Sequence, residues 1–186
     1  MCCFYMPAQW GVGGGVGSGQ PVNQCVIYLP SPGPALHLLN NHLSAFSVGD
    51  TKARQVGVLT DRLAALDAAG EPWIAAGDFN ALSPYEDLSG LPPDEAKLYD
   101  NLSPDEPSAV AGLYDKYASV ATAADYRADP PWRTYKPWEL GAPAAAIDHV
   151  FLSDGWAVER KQVVSTPAYF SDHQPVLAVV KRASSA

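Results

Sequence analysis

The run Trp73-Ile74-Ala75-Ala76-Gly77-Asp78-Phe79-Asn80 stops a short apolar stretch on glycine, then sets a carboxylate and an amide two residues apart. About five apolar residues predict a buried strand. Asp78 and Asn80 then stand at its C-terminal mouth, where open α/β sheets place their chemistry. Taken alone, Gly-Asp-x-Asn is also ordinary turn chemistry. A second segment, Phe170-Ser171-Asp172-His173-Gln174-Pro175-Val176, puts a carboxylate beside a histidine just before the apolar run Leu177-Ala178-Val179-Val180. Such a pair suits acid/base work, or a metal with an imidazole next to it. A third, Ile147-Asp148-His149-Val150-Phe151-Leu152, places a carboxylate inside a strand-like run. An ionised Asp is costly there unless it is paired, and His173 is the partner expected for Asp148. A fourth, Leu38-Leu39-Asn40-Asn41-His42-Leu43, ends an apolar run on Asn and His.

In that order the four segments resemble the endonuclease/exonuclease/phosphatase superfamily. Its members include deoxyribonucleases of the pancreatic type, abasic-site endonucleases, inositol polyphosphate phosphatases and neutral sphingomyelinases. The resemblance runs from about residue 35 to residue 181. It rests on Gly77-Asp78-Phe79-Asn80 and Ser171-Asp172-His173, with Ile147-Asp148 between them. It implies an α/β (α+β) fold, a layered β-sandwich flanked by helices, and a hydrolase of phosphodiester or phosphomonoester bonds that depends on Mg²⁺ or Mn²⁺. By the same resemblance, Asp78 orients or deprotonates the attacking water and Asn80 contacts the phosphate beside it. Asp172 helps hold the metal, together with Asp78 and Asn80. His173 contacts the scissile phosphate, Asp148 orients and charges that imidazole, and His42 reaches the phosphate from another strand, with Asn40 in the same motif. Arg133 and Lys136 are the nearby cations that could hold a second phosphate.

The chemistry of the residues agrees with these roles. Phosphoryl transfer needs an in-line water, a cation on the oxygens and donors where charge accumulates. Carboxylates and amides are hard oxygen ligands, suited to magnesium or manganese rather than zinc. A carboxylate beside an imidazole raises its pKa, so an Asp148–His173 pair would donate as a cation at neutral pH.

The chain departs from the family pattern in its first part. Residues 1–49 contain no Asp, Glu, Lys or Arg, where average composition gives about a dozen. The chain has no room for the family's first half, which supplies one sheet and an early Asn, and no candidate for its metal-binding Glu, since the first charged residue is Asp50. The sequence looks like the C-terminal half of such a domain, behind a Gly-rich uncharged lead at 1–21 and with a short tail at 182–186. Ala144-Ala145-Ala146 stands where the family often carries polar or basic residues, and Asn41 and His149 stand where other types are commoner. A second reading stays open: a catalytically impaired partial domain that only binds a ligand or a protein.

At 186 residues the chain is long enough for one sizeable core. A net charge of −8 argues against tight binding to bulk nucleic acid, which relies on Lys and Arg neutralising phosphates. A small phosphorylated molecule or a lipid head group is the better expectation for a partner. Three cysteines, two of them adjacent, make no disulfide framework, and with no visible secretory signal they favour a cytoplasmic location. Six of the nine residues from Gly11 to Gly19 are glycine, but neither phosphate-loop register is present.

Further along, residues 22–29 and 34–41 predict two strands, and 51–69 a helix whose Val56, Leu59, Leu63 and Leu66 share one face. Strand 73–77 follows. The proline-broken stretch 81–146 predicts a helix near 108–119 and a strand at Trp132-Arg133-Thr134-Tyr135, with most of its Tyr and Trp side chains in local core. Strands at 147–152, 157–165 and 175–181 complete the pattern. If one sheet of the sandwich is missing its partner, an uncovered sheet face could drive association.

Overall fold

The computed structural model describes residues 23–27, 34–45, 50–86, 109–128, 130–136, 143–165 and 171–183. The lead at 1–21 and residues 184–186 lie outside them.

Strands β1 (Asn23–Ile27), β2 (Leu36–His42) and β3 (Trp73–Asp78) are consecutive neighbours. β1 and β2 are antiparallel. β2 and β3 are parallel, so the chain between them must cross over, and helix α1 (Thr51–Ala68) does so. Its stripe Val56, Leu59, Leu63 and Leu66 is buried against Leu39, Leu43, Trp73, Ala75 and Phe151 of the sheet region. Asp50 occupies the N-cap position but makes no side-chain cap bond; its carboxylate pairs with Arg54 at 3.1 Å instead. The helix stops at Gly70, whose φ of +67° suits a residue with no Cβ.

Past β3 the chain forms α2 (Ala111–Lys116), β4 (Ala118–Ser119), α3 (Ala123–Tyr126) and β5 (Asp148–Leu152). The five-stranded sheet has the order β1-β2-β3-β5-β4. β6 (Trp156–Val163) and β7 (Val176–Arg182) form a separate antiparallel pair. Ile74, Val150 and Leu152, on the sheet face opposite α1, pack with Trp156, Val163, Val176, Ala178 and Val180 of that pair. The layers are therefore helix, sheet, sheet, as expected for the sandwich.

Two expected elements differ. The helix near 108–119 is shorter, because Tyr117 is extended and Ala118-Ser119 pairs with Leu152 and Phe151; sheet pairing overrides the helical pattern. Trp132–Tyr135 is not a strand. Tyr135 makes isolated bridges to Ala145 and to His173, two separate segments, so no continuous ladder forms. Tyr126 and Trp132 are buried, and Tyr85, Tyr114 and Tyr117 pack against core clusters, which agrees with the local-core reading. Tyr99 and Trp138 lie outside the described residues.

Candidate active site

The register of three strands assembles the site. His42 is the β2 partner of Asp78, and Asp78 is the β3 partner of Asp148 on β5. Partners in register share a face, so the three side chains form a row across one end of the sheet, on the face away from α1. Gly77 makes this row possible. Its φ is +140°, and a Cβ there would lie 2.0 Å from Asn41 O and 2.8 Å from Asn41 N. Only glycine lets β2 and β3 approach so closely just before Asp78.

His173 joins the row from the loop before β7. Its Nδ1 lies 2.9 Å from Asp148 Oδ2, so the ring donates from Nδ1 and turns Nε2 into the site. Asp78 Oδ2 stands 3.7 Å from that Nε2 and 3.6 Å from His42 Nε2. One carboxylate oxygen is thus flanked by two imidazoles. The other, Oδ1, accepts the Asn80 backbone N–H at 2.8 Å.

Asn80 adopts a left-handed φ of 47°, which asparagine tolerates better than most residues. Its Nδ2 donates to Leu43 O at 2.9 Å, leaving Oδ1 as the amide atom able to meet a cation. Its own carbonyl accepts from Lys52 Nζ. Thr134, fully buried, receives the Ile147 and Asp148 N–H groups on its hydroxyl at 3.3 and 3.2 Å. Its carbonyl accepts Gln174 N at 2.6 Å. The 132–136 segment therefore ties the Asp148 strand to the Asp172-His173 loop, without being a strand itself.

Charges in the cluster shift one another. Burial pushes the Asp78 carboxyl above its ordinary 3.8, and the Asn80 N–H, His173 and His42 oppose that rise. The hydrogen bond to Asp148 raises His173 above 6.5 despite partial burial. Burial lowers Lys52 to about 8, while the nearby charge of Asp78 works the other way.

The structure thus brings together Asp78, His42, Asp148 and His173, with Asn80 in the adjoining turn. Asn40 is exposed on the same face as His42, two residues back along β2. Asp172 joins through its main chain, its carbonyl accepting Lys136 N at 2.6 Å. Arg133 is not a spare cation: its Nε lies 3.8 Å from Glu86 Oε1, and that carboxylate is almost wholly buried.

Sequence reasoning missed Lys52 and Thr134. Lys52 carried a readable signal. It sits one turn before Val56 on the apolar stripe of α1, where a solvated lysine is out of place. Thr134 offered none.

Asp78, Asn80 and Asp172 present oxygen donors of the kind that suit a divalent cation. Among the described residues, however, no three His, Cys, Asp or Glu side chains are placed to hold a metal ion. The described residues therefore do not fit a complete cation site. A cavity of about 510 Å³ lined by Pro72, Tyr117, Trp156 and Arg182 lies at the opposite end of β3 and contains none of the cluster residues. Chemistry, not concavity, marks the site.

Two stacked sheets with a helix on the outer face and an acid–imidazole row at one end define a layered α/β sandwich with a polar site at its strand ends. A model of the endonuclease/exonuclease/phosphatase family matches residues 5–173. The chain belongs to that family, whose name covers enzymes that cleave phosphoester bonds. Similar solved structures include the human Nocturnin catalytic domain with bound sulfate, at 21% identity and TM-score 0.56 over 88% of this chain and 53% of that one. An endonuclease/exonuclease/phosphatase from Beutenbergia cavernae matches at 19% identity and TM-score 0.57, over 88% of this chain and 39% of that one. A conserved Enterococcus faecalis protein of unknown function matches at 18% identity and TM-score 0.56, over 83% and 53%. The chain spans about half the length of these structures or less. Comparison with curated proteins finds no match. No helix among the described residues is long and apolar enough to cross a membrane.

Proposed function

We propose that this chain carries the phosphoester-hydrolysing half-site of its family. Asp78 is the proton acceptor for the attacking water, and His173 is the donor that meets charge on the phosphoryl oxygens. The observation that carries the reading is the Asp78 Oδ2 position, within 4 Å of two imidazoles, one of them anchored by Asp148 at 2.9 Å. A carboxylate with one oxygen fixed by Asn80 N and the other open to the site can orient a water and take its proton. An imidazole fixed through Nδ1 and raised in pKa presents Nε2–H as a charge-assisted donor. His42 adds a second donor from β2.

A Mg²⁺ or Mn²⁺ requirement belongs to this proposal. It is supported by the family and by the oxygens of Asp78, Asn80 and Asp172; bound there, the cation would neutralise phosphoryl charge. Water and the substrate's own phosphate oxygens, which Mg²⁺ commonly takes as ligands, would complete its coordination. The substrate proposed is a phosphorylated small molecule or a lipid head group rather than duplex nucleic acid. The net charge of −8 supports that choice, with Asn40 exposed on the face of His42 and Lys136 joined to Asp172 through its main chain. A cytoplasmic location is proposed on the cysteine pattern.

The incomplete cation site favours one other reading, a binding domain without turnover. Hydrolysis of a chromogenic phosphodiester and phosphomonoester, with either metal and with chelator, separates the two. Metal-dependent turnover supports the hydrolase; a folded protein without turnover supports the binding domain.

A further inference from the structure

A buried hydrogen-bond chain lies behind the acid–imidazole row, on the other face of β5. Tyr126 Oη is 2.7 Å from Tyr114 Oη, and Tyr114 Oη is 2.9 Å from His149 Nδ1. His149 Nε2 is 2.8 Å from Ala81 O. Elementary donor rules fix the direction. A carbonyl only accepts, so Nε2 carries the hydrogen. Burial lowers His149 to about 4, so at neutral pH the ring is uncharged and Nδ1 is bare. Tyr114 therefore donates to Nδ1, and its oxygen accepts from Tyr126. The chain ends on Ala81, the residue after Asn80, and Ala81 is fully buried.

The turn from Asp78 to Ala81 is held at its near end by Phe79 N on Ile147 O at 2.9 Å. Its middle is held by Asn80 Nδ2 on Leu43 O and by Lys52 Nζ on Asn80 O. Its far end is held by His149. Packing does not require an imidazole there. The ring sits 5.4 Å from Phe79 and 6.1 Å from Phe151, surroundings in which a phenyl group would pack. What an imidazole adds is two satisfied polar bonds, one of them to the loop that bears Asp78 and Asn80.

We infer that His149 is a positioning residue: through Ala81 O it fixes the Asp78–Ala81 turn and so the aim of Asp78 and Asn80. The inference rests on the hydrolase reading for its effect on rate, but not for its effect on the turn. The test compares wild type with His149→Phe, His149→Gln and Tyr114→Phe. Hydrolysis of a chromogenic phosphodiester gives kcat and KM, amide hydrogen exchange at Phe79–Ala81 reports the turn, and thermal melting reports stability.

His149→Phe is expected to lower kcat about tenfold or more with KM nearly unchanged, as small misplacement of reacting groups does. It should also speed exchange at Phe79–Ala81. His149→Gln, whose side-chain amide can donate to Ala81 O, is expected to recover most of both. Tyr114→Phe removes the donor to Nδ1 and the acceptor for Tyr126 but leaves the bond to Ala81 O, so it should shift both readouts less, in the same direction; it decides the matter if His149→Phe does not fold. A lower melting temperature with kcat and exchange unchanged would overturn the inference, as would equal losses in the Phe and Gln variants. If wild type shows no turnover, the hydrolase reading fails by itself. Exchange then decides alone: acceleration reversed by Gln supports the positioning role, and unchanged exchange overturns it.

Discussion

Asp78 is the residue on which the site turns, and its neighbours explain why. One oxygen is spent on Asn80 N and the other faces His42 and His173. His173 in turn owes its raised pKa mainly to the Asp148 hydrogen bond. A histidine whose folded pKa lies above its unfolded 6.5 adds stability that is fully present below 6.5 and is lost as pH rises through the folded value. In metal-free protein, Asp148→Asn should therefore lower the His173 midpoint, read from its imidazole proton shifts. It should also narrow the stability difference from wild type as pH rises past the wild-type midpoint. An unchanged midpoint would mean that Asp148 does not charge the ring.

At the scale of elements, the close contact of β2 and β3 at Gly77 is the most exposed joint in the design of the site. Any Cβ at Gly77 collides with backbone of Asn41, which cannot swing aside. Gly77→Ala should destabilise the fold by about 2 kcal/mol or more, measured by denaturant unfolding, and should separate His42 from Asp78. A neutral result would mean that the strands can part at no cost. Much at this scale was legible in the sequence. The α1 stripe and the Gly77 stop follow from the apolar patterns, the β5 strand from its apolar run, and the Asp148–His173 pairing from the cost of a buried carboxylate. Trp132–Tyr135 and the short α2 were not legible, because their conformations are set by distant partners, Ala145, His173 and β5. Thr134 had no local signature for the same reason: its two bonds to Ile147 and Asp148 join segments distant in the chain. Arg133 reads as a phosphate contact only until Glu86 is seen beside it.

The whole molecule sets a five-stranded sheet against a two-stranded one among the described residues. Trp156, Val163, Val176, Ala178 and Val180 cover the inner face near β3 and β5. On β2, Leu38 is half-buried and Asn40 exposed, and Val179 and Val158 are 41% and 36% exposed on the smaller sheet. A sheet face left uncovered beyond these residues would promote association. Light scattering at micromolar concentration is expected to give a mass above that of one chain, with binding of an apolar dye. A clean monomer without dye binding would show that residues beyond those described close the face.

Hydrolysis of phosphoesters by this acid–imidazole row can be read directly in one assay. Chromogenic phosphodiester and phosphomonoester substrates would be incubated with Mg²⁺ or Mn²⁺ and with chelator, for wild type, Asp78→Asn and His173→Ala. Turnover should need the metal and should fall by about a hundredfold or more in either variant. Wild-type turnover that survives both substitutions, or a folded wild type with no turnover on either ester, would contradict it.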